Sequence, residues 1–140
     1  MTDAFTHRFR VRYSEVDPQS VVFNSRYLEY ADLLVTEFYR DRRAHGMPAD
    51  IEFHVRRAEV DYLAPIRCDE MIEGRLTVER IGNSSIEKRI GFYGADDGTH
   101  RADIRLVAVH VHLPEGRPER VPDSVRTAFG FPAGEAIADG

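Results

Sequence analysis

The sequence contains a single cysteine, Cys68, so no disulfide forms within the chain and no oxidising compartment is implied. It also lacks an excess of positive charge. Lys and Arg number 19 against 24 Asp and Glu, a formal net charge of -5. A nucleic-acid footprint needs the opposite balance or a dense basic stripe. A local basic patch for an anionic ligand remains compatible with this balance. No apolar run approaches the length of a membrane span, and the stretch from Met1 to Arg8 has no apolar h-region. A cytoplasmic protein without nucleic-acid or membrane partners is expected. The motifs G-x-S-x-G, P-loop and G-x-G-x-x-G are missing, which argues against serine-hydrolase and nucleotide-binding classes.

What is present is enough apolar material for one core: 42% apolar and 31% charged residues in 140. Phe5, His7, Phe9, Val11 and Tyr13 alternate with arginines, the period of a half-buried strand. The alternation breaks between Ser14 and Ser20, around Pro18. From about Ser25 to Ala44 the period becomes helical, with Tyr27, Leu28, Ala31, Leu34, Val35 and Phe38 on one face. Asn24 or Ser25 is positioned to cap that helix, and Gly46 with Pro48 to end it. Strand patterns follow to residue 113. Ile51, Phe53 and Val55 change phase with Ala58, Val60 and Tyr62, which predicts a bulge near Arg56-Arg57. Ile72 to Val78, Ile86 to Phe92 and Ile104 to Leu113 supply three more strands, with turns at 82–85 and 94–99. Pro122-Asp123-Ser124 opens a short helix to about Phe129. The expectation is an α+β domain over 1–130 and a disordered tail over 131–140.

The stretch 15–32, EVDPQSVVFNSRYLEYAD, places a carboxylate, Asp17, ahead of an apolar run and a helix start. Beside Pro18 it reads equally as a turn residue. As chemistry, an ionised Asp17 is a nucleophile or general base. The helix start supplies unpaired N–H groups and a positive dipole end for a developing oxyanion.

Tyr13, Asp17, Val21, Val22, Phe23, Asn24 and Tyr27, set between strand and helix, resemble the 4-hydroxybenzoyl-CoA thioesterase type and related bacterial acyl-CoA thioester hydrolases. Asp61-Tyr62-Leu63-Ala64-Pro65, with Asp69 just after, is a supporting resemblance. Together they cover roughly residues 7 to 127. The resemblance implies a hotdog fold, a curved antiparallel sheet wrapped around one long central helix. It implies a homodimer or homotetramer with its site at the subunit interface, an acyl-CoA substrate with water as acceptor, and no metal or other cofactor. It maps the catalytic carboxylate onto Asp17 and the carbonyl-polarising N–H onto Asn24, with Val22, Phe23 and Tyr27 as substrate contacts. The family usually has glycine where this chain has Ser20, which leaves a non-catalytic acyl-CoA or acyl-group binding module as the alternative. A hotdog dehydratase or hydratase is a third reading, disfavoured because no histidine stands at the head of the helix.

Coenzyme A needs cations or turn N–H groups for its phosphates. The resemblance implies part of that contact in the turn Gly82-Asn83-Ser84-Ser85, with Lys88 and Arg89 just beyond, although a plain hairpin turn fits Asn83 and Ser84 as well. Arg56 and Arg57, at the expected bulge, fit phosphate partners and solvated side chains equally. His110 and His112 share a strand face without an evident third metal ligand. His54 is read as a strand residue and Cys68 as structural.

Overall fold

The computed structural model describes residues 4–133. Five long strands build one antiparallel sheet: β1 (Phe5–Arg10), β2 (Phe53–Tyr62), β3 (Met71–Ile81), β4 (Ser85–Gly94) and β5 (His100–His112). Their spatial order is β1-β3-β4-β5-β2, and a two-residue β6 (Arg117–Pro118) adds to β5. One long helix, α1 (Arg26–Ala44), packs on the sheet, and a short α2 (Asp123–Ala128) follows β6. This is the expected α+β architecture. Most of the tail expected to be disordered, residues 134–140, lies outside the described residues.

Several boundaries moved. The first strand ends at Arg10, not Tyr13. The chain then winds into a 3-10 turn over Tyr13–Glu15, which leaves Tyr13 84% exposed. The last long strand starts at His100, four residues before the apolar run that marked it, because pairing with Tyr93 begins there. The bulge is where the phase change put it: the β2–β5 register shifts between Val55 and Arg57.

The helix is held by its apolar face and by one close approach. Tyr27, Tyr30, Ala31, Leu34 and Phe38 are buried against the inward side of the sheet, where Ile72, Leu76, Ile86, Ile90, Phe92 and Ile104 form the core. At Gly74 of β3 the sheet admits the fully buried Leu34. A Cβ on residue 74 would lie 2.6 Å from Leu34 Cδ2. The helix ends in a Schellman arrangement: Gly46 at φ 106 donates to the Arg43 carbonyl, and Met47 donates to that of Arg42.

Register sorts the sheet into two ends. One end gathers Arg10, Met71, Gly94 and Tyr62. The other gathers Ile81, Ser85, His110 and Phe53. The segment before α1 leaves from the first end.

Candidate active site

Between the 3-10 turn and α1 the chain folds into a small hairpin. Phe23 N–H donates to the Glu15 carbonyl, Val16 bridges Val22, and Asp17 N–H donates to the Val21 carbonyl. The tip is a β-turn from Asp17 to Ser20, with Ser20 N–H donating to the Asp17 carbonyl at 2.9 Å. Asp at the first position and Pro at the second suit such a turn. Gln19 N–H donates to Asp17 Oδ1 at 2.8 Å. Ser20 takes φ 67, the left-handed region where glycine is favoured, so the serine keeps a backbone shape that the family glycine would adopt without strain. The turn role and the catalytic role of Asp17 are therefore compatible, since the turn engages its backbone and one carboxylate oxygen.

The returning arm leads into α1. Ser25 stands at the N-cap, but its side chain makes no capping hydrogen bond, and neither does that of Asn24; that expectation is not met. Instead the Phe23 carbonyl accepts from Arg26 N–H at 2.9 Å, and the Asn24 carbonyl accepts from Tyr27 N–H at 3.4 Å. Among the described residues the backbone N–H groups of Asn24 and Ser25 have no acceptor. Two donors at the positive end of a five-turn helix thus remain available to a ligand.

Two neighbours to which the sequence analysis gave no role at the site fix this helix start. The Tyr62 hydroxyl, from the end of β2, donates to the Asn24 carbonyl at 3.0 Å. Its ring stands edge-on to Tyr27, centroids 4.8 Å apart. Glu15 is buried, accepting from Arg12 N–H at 2.8 Å, from Arg12 Nε at 3.0 Å and from the Tyr30 hydroxyl at 3.0 Å. Burial opposes its charge, but the Arg12 N–H, the Tyr30 hydroxyl and the Arg12 guanidinium together hold the Glu15 carboxyl below the usual carboxylate range. Burial, and then the bond to Glu15, push the Tyr30 hydroxyl up.

The remaining expected contacts separate. Phe23 is 49% exposed beside Asn24 and stays at the site. Val22 and Tyr27 do not: both are core residues, 5% and 4% exposed, and Val22 N–H pairs with the Ile66 carbonyl. Their side chains hold the hairpin and the helix in place rather than offering a ligand surface. Asn83 and Ser84 lie at the opposite end of the sheet, a β3 length of about 30 Å from the hairpin. Their carbonyls are engaged: Ser84 accepts from His110 N–H, and Asn83 from Val121 N–H. The buried Arg126 of α2 donates to the carbonyls of Gly82, Asn83 and Val121. That turn is a structural clasp in this chain, and the expected coenzyme contact there is not made near its own Asp17. Arg57 is exposed on the edge strand β2, paired with Glu59 at 2.7 Å. Cys68 is exposed, which removes the structural reading given to it.

The comparisons with known proteins bear on the family and the fold. The model of the thioesterase-like superfamily matches residues 11–129. The chain belongs to this superfamily. A curated relative, the acyl-CoA thioester hydrolase YbgC of Escherichia coli O6:H1, is 25% identical over 131 residues, covering 91% of this chain and 97% of that protein. Among solved structures, the PA5185 protein of Pseudomonas aeruginosa superposes with a TM-score of 0.82 at 24% identity, over 98% of this chain and 95% of that one. Slr0204, a 1,4-dihydroxy-2-naphthoyl-CoA thioesterase from Synechocystis, does so with a TM-score of 0.79 at 19% identity, over 90% and 95%. The expectations of a hotdog fold and of a thioester hydrolase are borne out by this membership.

One residue of this superfamily member carries a feature that the sequence reading passed over. Lys88, read as lying just beyond a phosphate turn, is 3% exposed on the inward face of β4. The signal was available: Ile86, Lys88, Ile90 and Phe92 alternate in one phase, so the lysine occupies a core position. Burial pulls its ammonium down to about 7.

Proposed function

We propose that the chain hydrolyses acyl-CoA thioesters with Asp17 as nucleophile or general base and the N-terminus of α1 as the oxyanion site. The observation that carries this is the pair of unengaged N–H groups at Asn24 and Ser25, with Tyr62 holding the carbonyl of the peptide that joins these two residues. The thioester carbonyl oxygen accepts from the Asn24 N–H. Asp17, with one oxygen held by Gln19 N–H, drives addition to the carbonyl carbon with the other. As base it takes a proton from the attacking water; as nucleophile it forms an anhydride that water then opens. In either case a C–O bond forms, the C–S bond breaks, and coenzyme A leaves as the thiolate. Preorganised donors of this kind lower such barriers by about 3 kcal/mol.

The site is completed in a homodimer or a homotetramer. Strand β2 is a ten-residue edge, paired only with β5, and exposed along most of its length, including Val55 and Tyr62. Such an edge pairs with a second copy. Arg56 and Arg57 at its bulge would then meet coenzyme A phosphates.

The test is thiol release from a panel of aromatic, short and long acyl-CoAs, with the exposed Cys68 thiol subtracted. Asp17→Asn is expected to lose on the order of 10²-fold or more. Full activity in that variant would sink the assignment. Ligand-induced thermal stabilisation with no turnover of any thioester would favour a binding module instead.

A further inference from the structure

Lys88 is the only lysine in the sequence; the other 18 Lys and Arg side chains are all arginine. An arginine stays charged wherever it is placed, whereas a buried lysine changes protonation with its surroundings. Lys88 is at the floor of a cavity of about 370 Å³ between α1 and the inward face of β2, β4 and β5. Leu28, Val35, Tyr39, Phe53, Leu106 and Ala108 make its walls apolar, and the exposed Asp32 and Thr36 border its mouth. Nζ lies 5.2 Å from the ring centroid of Tyr39 and 5.4 Å from that of Phe53. Among the described residues no carboxylate pairs with it and no hydrogen bond reaches it. The hydroxyl of Tyr39, a residue of the same cavity, is buried without a partner as well.

Two unpartnered donors in an apolar cavity are expensive to keep unless something accepts from them. The cavity begins at Leu28, one turn beyond Asn24, and reaches Tyr39, so it extends about 16 Å along the helix. A chain lying in it with its thioester at the helix start would put its far end at Lys88. We propose that Lys88 sets substrate specificity by receiving the terminal carboxylate of an acyl chain long enough to span the cavity, making the favoured substrates mono-CoA thioesters of dicarboxylic acids. A carboxylate supplies the charge that the aromatic walls do not and accepts from both Nζ and the Tyr39 hydroxyl. This inference rests on the thioesterase reading above.

The experiment has two arms. In the first, tetradecanoyl- through octadecanoyl-CoA are compared at pH 7 with their ω-carboxyl counterparts, in wild type, Lys88→Met and Tyr39→Phe. Wild type is expected to prefer the carboxylated member of a pair by roughly ten- to hundredfold in kcat/KM, the range of one charge-assisted hydrogen bond. Lys88→Met should reverse the preference while still hydrolysing the plain acyl-CoAs. In the second arm, lysine labelled with ¹³C at Cε gives one resonance, whose pH titration reports Lys88 alone. A non-hydrolysable S-(ω-carboxyalkyl)-CoA thioether should raise its midpoint by about one unit or more, and the plain S-alkyl-CoA should not. Turnover of both thioesters without preference, or a midpoint that ignores the carboxylated thioether, overturns the Lys88 assignment and leaves the thioesterase reading intact. Absence of turnover with a shifted midpoint overturns the thioesterase reading and keeps the carboxylate site.

Discussion

The Tyr62 hydroxyl donates to the Asn24 carbonyl at 3.0 Å, across 38 residues of sequence. That bond joins the end of the edge strand to the start of the helix, and so ties together the two segments whose residues resemble the family. The carbonyl it holds shares a planar peptide with the Ser25 N–H, so the bond fixes where that N–H points.

Tyr62→Phe keeps the ring against Tyr27 and removes only the hydroxyl. The expected loss is that of one hydrogen bond, about 0.5–1.5 kcal/mol, or roughly two- to tenfold. Because the bond anchors the peptide that follows the Asn24 N–H, the donor used in the transition state, the loss should fall on kcat with KM unchanged. A merely structural role would instead lower the melting temperature and leave kcat alone.

Ser20 is one of two non-glycine residues with positive φ among those described. Ser20→Gly relieves about 1 kcal/mol of backbone strain, partly offset by the freer unfolded chain. Activity should persist and the melting temperature should hold or rise. Ser20→Val should depress both. Equal behaviour of the two variants in thiol release would show that the turn shape does not matter to Asp17.

Glu15 carries a pH signature. Its folded carboxyl titrates below the 4.5 of the unfolded chain, so ionised Glu15 contributes stability above about pH 4.5 that disappears as pH falls through the folded value. Urea unfolding of wild type and Glu15→Gln should therefore differ most at pH 7, and the gap should narrow at pH 3. A gap independent of pH would mean that Glu15 acts by shape alone.

Gly74→Ala places a methyl group against Leu34, which is fully buried and has no room to retreat. The expected destabilisation is about 1–3 kcal/mol. Combined with Leu34→Ala, it should cost less than the sum of the two single losses, and strict additivity in denaturant melts would show that the contact does not govern the helix position.

Much of this was legible because it rests on period. The 3.6 spacing of Tyr27, Ala31, Leu34 and Phe38 marked the helix, and the phase change between Val55 and Ala58 marked the bulge. Leu28 and Val35, read with the buried face, line the cavity between that flank of the helix and strands β2, β4 and β5. The strand end at Arg10 was not legible, since Val11 and Tyr13 continue an alternation that the Arg12–Glu15 contact interrupts. Nor was the role of Tyr62, which depends on a partner 38 positions away. Asn83 and Ser84 were assigned from a resemblance in which one chain's turn serves a site, and only register shows how far that turn lies from Asp17. Lys88 was overlooked because charge was weighed before phase.

The clasp made by Arg126 has a bearing on how the molecule comes into being. Its bond to the Gly82 carbonyl spans 44 residues, and a ribosome makes the β3–β4 hairpin long before it makes the side chain that satisfies it. A nascent chain halted short of residue 126 holds a sheet whose far end is open. Released chains that end just before and just after residue 126 should therefore differ in resistance to a brief proteolytic pulse.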